Sequence, residues 1–242
     1  MQSTTVIAVT GGARGIGAAI VDRVAAAGHD VLIGYRSDHG AAEAAAERVR
    51  SLGRRAVTAR VDITDARQLA EFFRAGEALG PLTGVVASAG AVEAVGHLAE
   101  LDPEQIRRDL EVNLLGPVLT ARAAIPYLAG TKGSLVLIGS AAATIGSPGT
   151  YVHYAAAKAG TAALAVGLSK ELADSGIRVN CVEPGTVWTD FHQDPQRPAK
   201  VAGAIPLGRP GDPADIAGAV NWLLSEEASY TTGATIRVAG GL

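Results

Sequence analysis

The chain has 242 residues, 48% hydrophobic and 19% charged, which is enough for one large core and for one or two domains. A formal net charge of −3 gives no electrostatic basis for binding nucleic acid or an anionic membrane surface, and no apolar run approaches the ~18 residues of a membrane helix. The single cysteine, Cys181, excludes an internal disulfide or a Cys-rich metal site, and five scattered histidines give no metal-ligand spacing, so a metal-free protein in a cytoplasmic setting is expected.

The N-terminus carries no basic segment followed by a long apolar one, and so no visible targeting signal. Residues 4–10 form a short, partly β-branched apolar run that reads as a buried strand ending in Thr10. The turn Gly11-Gly12-Ala13-Arg14-Gly15-Ile16-Gly17 follows, and helical periodicity runs from Ala18 to Gly28. Strand, glycine turn and helix make a place where backbone amides approach a pyrophosphate and a helix N-terminus attracts its charge. A plain βα turn needs glycine for geometry alone, and the spacing is not the usual G-x-G-x-x-G.

Residues 30–35 read as a second strand. An acidic residue about 20 positions after the glycines usually holds the ribose 2′-hydroxyl of NAD. Here the strand runs into Arg36 and Ser37, and Arg36 with Arg14 suits a 2′-phosphate, which favours NADP(H); Asp38 keeps NAD(H) open. Residues 41–52 read as a helix and 55–61 as a third strand. Asp62 could accept from an adenine amino group, or the cluster Asp62-Ile63-Thr64-Asp65 could serve only to cap the next helix, which runs to about Leu79. A fourth strand at 83–88 gives way to Ala89-Gly90-Ala91, small enough to lie against a cofactor.

Asp102-Pro103-Glu104 opens a helix that carries Asn113 near its end among apolar neighbours, and Gly116-Pro117 begins another to about Leu128. Asn113 is expected to be buried and hydrogen-bonded, whether as a helix-ending amide or in a site. Residues 133–138 form a fifth strand ending at Gly139-Ser140, on the edge where open α/β sheets bind ligands.

A long alanine-rich helix then carries Tyr154 and Lys158, four residues apart and therefore on one face. A phenol ionises near pH ~10, and an ammonium beside it favours the phenolate, which makes Tyr154 a candidate general acid or base. This helix is apolar on nearly every side over 155–168 and is expected to be covered by the sheet and by a partner subunit. Residues 176–182 form a sixth strand, and an irregular stretch through Pro198 reads as a lid. A helix at 212–224 and a strand at 235–238 complete an alternating order that predicts one domain over 1–242, a doubly wound α/β (Rossmann-type) sheet of about seven parallel strands.

Taken together, the ordered set of motifs resembles the single-domain short-chain dehydrogenase/reductases, over essentially the full length from Thr10 to Gly241. The turn Thr10-Gly11-x-x-x-Gly15-x-Gly17 is similar to the family's cofactor loop, and Asn113, Ser140, Tyr154 and Lys158 to its catalytic tetrad. Asp62 with Ile63, Ala89 with Gly90, and the segment Pro184, Gly185, Thr186, Val187 and Thr189 resemble its adenine, backbone and carboxamide contacts. One departure stands out: Ala87-Ser88-Ala89-Gly90 replaces the family's N-N-A-G, with loss of two sheet-bracing amides.

The resemblance implies hydride transfer between a nicotinamide and a carbonyl or alcohol carbon, with Tyr154 as proton donor or acceptor and Lys158 lowering its pKa. It also implies Ser140 on the substrate oxygen, Asn113 holding a water of a proton relay, and a homotetramer packed through residues 102–128 and 154–173. NADPH-dependent reduction of a small or medium carbonyl compound is the expected activity. An NAD-dependent alcohol or sugar dehydrogenase and a non-catalytic dinucleotide sensor are the alternatives. Thr144, Ile145, Tyr151, His153, Trp188, Phe191 and His192 are the expected pocket residues, in a substrate-loop region of about 185–205.

Overall fold

The structure is a computed structural model that describes residues 5–242; Thr4 of the expected first strand lies outside them. In chain order the elements are β1 (Val6–Thr10), α1 (Gly15–Ala26), β2 (Asp30–Tyr35), α2 (His39–Ser51), β3 (Ala56–Arg60), α3 (Ala66–Gly76) and β4 (Leu82–Ala87). Then come α4 (Pro103–Leu110), α5 (Gly116–Ala129), β5 (Ser134–Ile138), α6 (Ala142–Ile145) and α7 (Val152–Glu171). The last are β6 (Arg178–Pro184), α8 (Arg197–Val201), α9 (Pro213–Leu224) and β7 (Thr235–Val238).

All seven strands pair in parallel in one sheet, in the order β3-β2-β1-β4-β5-β6-β7. The alternation of strand and helix requires this, because a parallel pair can be joined only by a crossover. The chain winds outward through β2 and β3, returns to β4 on the other side of β1, and winds outward again. Between β1 and β4 the direction reverses, and there the two following loops part to leave a crevice.

Every residue of β1 and β5 is buried, which is why these strands read as continuous apolar runs. Two hydrophobic clusters, one on each face, enclose the sheet. One joins Leu69, Phe72 and Phe73 of α3 to Ala121, Ala124 and Leu128 of α5 and Ala165 of α7. The other joins Ile20, Val21 and Val24 of α1 to Ala45 and Val49 of α2 and Ile216, Val220 and Leu223 of α9. Full burial of a residue such as Phe72 contributes about 1.5–3 kcal/mol.

Aspartates begin four of the helices: Asp38 accepts from the amide of Ala41, Asp65 from Arg67 and Gln68, and Asp102 from Glu104, while Asp212 and Asp215 form a capping box. Each such cap is worth about 1 kcal/mol.

The structure departs from expectation in three places. Helix α1 begins at Gly15, inside the glycine turn, because Gly15 at φ +53° already turns the chain into the first helical turn. Short helices α6 and α8 occupy segments expected as loops, being too brief to show a period. Between α4 and α5, a π-helical turn at Glu111–Leu115 replaces the expected break, so Pro103–Ala129 is one helical rod of 27 residues. An 18-residue window of it reaches a mean hydropathy of 1.2, enough by length and composition alone to cross a membrane, a composition that the core helices of folded domains share. From Val112 to Ala129 it holds one charged residue, Arg122, and it packs against β4, α3 and α7.

Candidate active site

A cleft of about 660 Å³ runs along the C-terminal edge of the sheet. At one end lies the glycine turn. Gly11 and Gly15 have φ +68° and +53°, and a Cβ on Gly11 would fall 2.7 Å from the Cα of Ala89. A Cβ on Gly17 would fall 2.0 Å from the Gly11 carbonyl oxygen. Only glycine fits these places, and the backbone thus comes to the wall of the cleft. Arg14 precedes α1 without lending a side-chain cap, so the first-turn amides at Gly15, Ile16 and Gly17 border the cleft with their helix charge. That cradle fits the pyrophosphate of a dinucleotide.

Arg14, Arg36, Ser37 and Asp38 line the neighbouring wall, followed by Asp62 and Ile63. Asp38 turns one carboxylate oxygen back to the Ala41 amide at 2.9 Å. Asp62 accepts from the Thr64 amide at 2.9 Å and its hydroxyl at 2.7 Å, so one oxygen is held locally while Asp65 does the capping. Ala89 and Gly90 line the floor below β4. Ser88, in place of the family's second asparagine, also lines it. Thr10 does not: it is buried between strands, with its hydroxyl 3.5 Å from the Val86 carbonyl oxygen, because the strand alternation directs it inward.

At the other end Ser140, Tyr154 and Lys158 share the wall with Pro184, Gly185, Thr186, Val187 and Thr189. A Cβ on Gly185 would stand 2.7 Å from the Cα of Ala239, so this turn too requires glycine, here to pack on the segment after β7. The Ser140 hydroxyl accepts from the Ala142 amide at 3.1 Å, which fixes it at the start of α6.

Tyr154 and Lys158 are both buried, and Lys158 Nζ lies 5.6 Å from the tyrosine ring centroid. Burial works against the lowering of the phenol pKa expected from Lys158. Burial pushes Tyr154 above its ordinary value, with the Ser140 hydroxyl acting in the opposite direction. The four-residue spacing sets the ammonium beside the tyrosine ring, where it donates to the Ile138 carbonyl at 2.9 Å. Burial also lowers Lys158 to about 8.

Asn113 is fully buried in the π-helical turn and lies behind the cleft, not in its lining. Its Nδ2 donates to the carbonyls of Asp109, at 2.8 Å, and Ala91, while Oδ1 is buried without a partner. A Cβ placed on Gly90 would meet Asn113 Oδ1 at 3.0 Å and Lys158 Nζ at 3.7 Å, so glycine lets both groups face one point.

Of the expected pocket residues, Ile145, Tyr151, Phe191 and His192 line the cleft, and Thr144, His153 and Trp188 do not. Thr144 meets Arg237 on the outside of β7, and Trp188 lies exposed. His153 points away from Tyr154 into the protein and bonds to buried Asp109, because successive helix residues diverge by 100°. The cleft also takes residues that no motif announced, among them Tyr35, Val92, Ser147, Gln193 and Arg197. Tyr35 ends β2, and for the others only their place after strands 4 to 6 could have hinted at them.

The family described as Enoyl-(Acyl carrier protein) reductase matches residues 11–242. The chain is 39% identical over 241 residues to "Uncharacterized oxidoreductase YgfF" of Escherichia coli (strain K12), covering 96% of this chain and 98% of the other. It is 39% identical to "3-oxoacyl-[acyl-carrier-protein] reductase FabG" of Aggregatibacter actinomycetemcomitans, with 98% of each covered. With "Glucose 1-dehydrogenase 2" of Bacillus subtilis (strain 168) the identity is 35%, over 97% of this chain and 93% of the relative. Among solved structures, a blue fluorescent protein from a metagenomic library in complex with NADPH superposes with a TM-score of 0.92 at 33% identity, over 99% of this chain and 98% of that one. The glycine cradle, the Tyr154–Lys158 wall and these relatives agree, and the chain belongs to the short-chain dehydrogenase/reductase family of NAD(P)-binding oxidoreductases.

Proposed function

We propose that the protein is an NADPH-dependent carbonyl reductase. The observation that carries this reading is geometric: the Tyr154 phenol stands on the wall of the dinucleotide cleft together with Ser140 and Lys158. A phenol carries its proton at neutral pH and can pass it to the carbonyl oxygen as the hydride arrives, which is the proton step of reduction. The bound nicotinamide would supply the hydride.

Tyr154 donates its proton to the substrate oxygen as charge develops there, and the Ser140 hydroxyl hydrogen-bonds the same oxygen. Lys158, fixed by the Ile138 carbonyl, places a positive charge below the tyrosine ring and favours the tyrosinate left by proton transfer. Asn113 Oδ1 and Lys158 Nζ face one point beside Gly90, which supports a solvent molecule there and a route by which the proton is replaced. The amides of Gly15, Ile16 and Gly17 would hold the pyrophosphate, and Pro184, Gly185, Thr186, Val187 and Thr189 would hold the carboxamide end. The segment 185–205 would close over the substrate.

Preference for NADPH is supported by Arg14 and Arg36 beside Ser37, and by the engagement of Asp38 with its own helix. A homotetramer is supported by apolar residues left exposed on the π-helical turn, α5 and α7, namely Leu115, Val118 and Val166.

The test is cofactor oxidation with NADPH and then NADH across ketones, aldehydes, quinones and β-keto thioesters. NADPH-driven turnover of one class supports the reading. Turnover with NADH alone would move the ribose contact to Asp38 and overturn the cofactor choice. Binding of both cofactors without any turnover would favour a sensor.

A further inference from the structure

The cations of the cleft have distinct places. Arg14 and Arg36 border the dinucleotide cradle, and Lys158 is bonded beneath Tyr154. Arg197 is the remaining Lys or Arg in the lining among the described residues, and it stands across the substrate half, at the start of α8. Its guanidinium carbon lies 5.4 Å from the Tyr151 ring centroid, and one terminal nitrogen is 3.4 Å from the Tyr151 hydroxyl. Its Nε is buried and has no hydrogen-bond partner.

No ion pair neutralises this guanidinium among the described residues. Asp194, three residues before it, borders the smaller cavity and feels the Arg197 charge, but its carboxylate is engaged by Lys200 at 2.7 Å and makes no ion pair with Arg197. Asp190 lines the same cleft but is exposed on its rim and makes no hydrogen bond to Arg197. A smaller cavity of about 170 Å³ adjoins the cleft, and Arg197 lines both, so its charge faces the junction. His192 shares both linings and is kept below its ordinary pKa, foremost by burial and also by the Arg197 charge, which leaves Arg197 as the charged member of the pair.

A half-buried guanidinium stacked on an aromatic ring, with an orphaned N–H and no paired carboxylate, lacks the partner its geometry suits. The planar fork matches the two oxygens of a carboxylate or phosphate. We propose that Arg197 is a specificity-determining residue that pairs with an anionic group, carboxylate or phosphate, carried by the carbonyl substrate. This rests on the reading of the cleft as a reductase site. Tyr151 holds the guanidinium by its ring, and the main cleft, which Arg197 lines and Asp194 does not, gives the anion room beside the reacting carbonyl.

Two matched aldehyde pairs test the proposal with NADPH: 4-carboxybenzaldehyde against methyl 4-formylbenzoate, and glyceraldehyde 3-phosphate against glyceraldehyde. The wild type should favour the anion of at least one pair by roughly 10- to 100-fold in kcat/KM, the range of a charge-assisted hydrogen bond. Arg197→Met should bring that ratio close to one, and Arg197→Lys should keep part of it. The pair that responds distinguishes carboxylate from phosphate. A ratio near one for both pairs in the wild type, or a preference unchanged in Arg197→Met, overturns the proposal. Should no aldehyde turn over, thermal unfolding with NADPH present separates the two readings. Stabilisation by either anion that Arg197→Met abolishes upholds the anion site while the reductase reading fails; no stabilisation by either, with NADPH itself raising Tm, overturns it.

Discussion

His153 Nε2 lies 2.8 Å from Oδ2 of Asp109, both side chains buried, one residue from Tyr154 and four from Asn113 respectively. The same carboxylate accepts from the amides of Glu93 at 2.8 Å and Ala94 at 3.0 Å, and the Asp109 carbonyl accepts from Asn113 Nδ2. One buried acid therefore ties α4, the start of α7 and the loop after β4 together behind the cleft. Asp109→Asn keeps the shape but replaces a charged acceptor by an amide. It should lower unfolding free energy by roughly 2–3 kcal/mol and reduce kcat more than cofactor affinity. Urea unfolding and NADPH fluorescence titration measure the two effects; an unchanged midpoint would rule out the tie.

Tyr154→Phe removes the proton donor and little else, since the ring keeps its contacts with Tyr151 and Phe191. Turnover should fall at least 10²- to 10⁴-fold, the usual contribution of a positioned acid, while the dissociation constant for NADPH changes little. Retained turnover would remove Tyr154 from the mechanism.

Gly17→Ala places a methyl group where 2.0 Å separates it from the Gly11 carbonyl oxygen. The glycine turn must then open, and dinucleotide binding should be lost even in chains that remain folded. Circular dichroism alongside a cofactor titration distinguishes this from global unfolding; tight binding by the variant would contradict the cradle.

Arg36→Ala should lower kcat/KM for NADPH roughly tenfold and that for NADH much less, because one exposed charge-assisted contact to a 2′-phosphate is lost. Equal losses with both cofactors would place Arg36 elsewhere than at the ribose.

Lys158 sets a pH dependence of stability. Its folded pKa of about 8 lies below the unfolded 10.5, so between those values the unfolded chain holds a proton that the folded chain does not. Stability from this group therefore rises with pH in that window, and below about 8 the buried ammonium is a standing burden. Lys158→Met removes that burden. Its stability advantage over the wild type should shrink by roughly 2–3 kcal/mol between pH 7 and pH 10. Urea midpoints of both proteins across that range give the difference, from which Tyr154 and Cys181 cancel; a constant difference would refute the lowered pKa.

The sequence by itself determined the sheet and most of the site. Val6 to Thr10 and Ser134 to Ile138 are buried along their whole length, and a parallel sheet covered by helices on both faces is what buries such runs. Glycines at 11, 15 and 17 and the spacing of Tyr154 and Lys158 are local facts, and local geometry carries them into the fold unchanged. Tertiary structure decided what depends on neighbours distant in the chain. It took Thr10 out of the cleft lining, turned His153 from the pocket to Asp109, and fused two helices through the π-helical turn that holds Asn113. It also set the tyrosine pKa, because desolvation depends on everything packed around the phenol while a four-residue spacing reports one neighbour. Arg197 shows the same limit: 46 residues separate it from Tyr151, and no period or motif marks the meeting of their side chains.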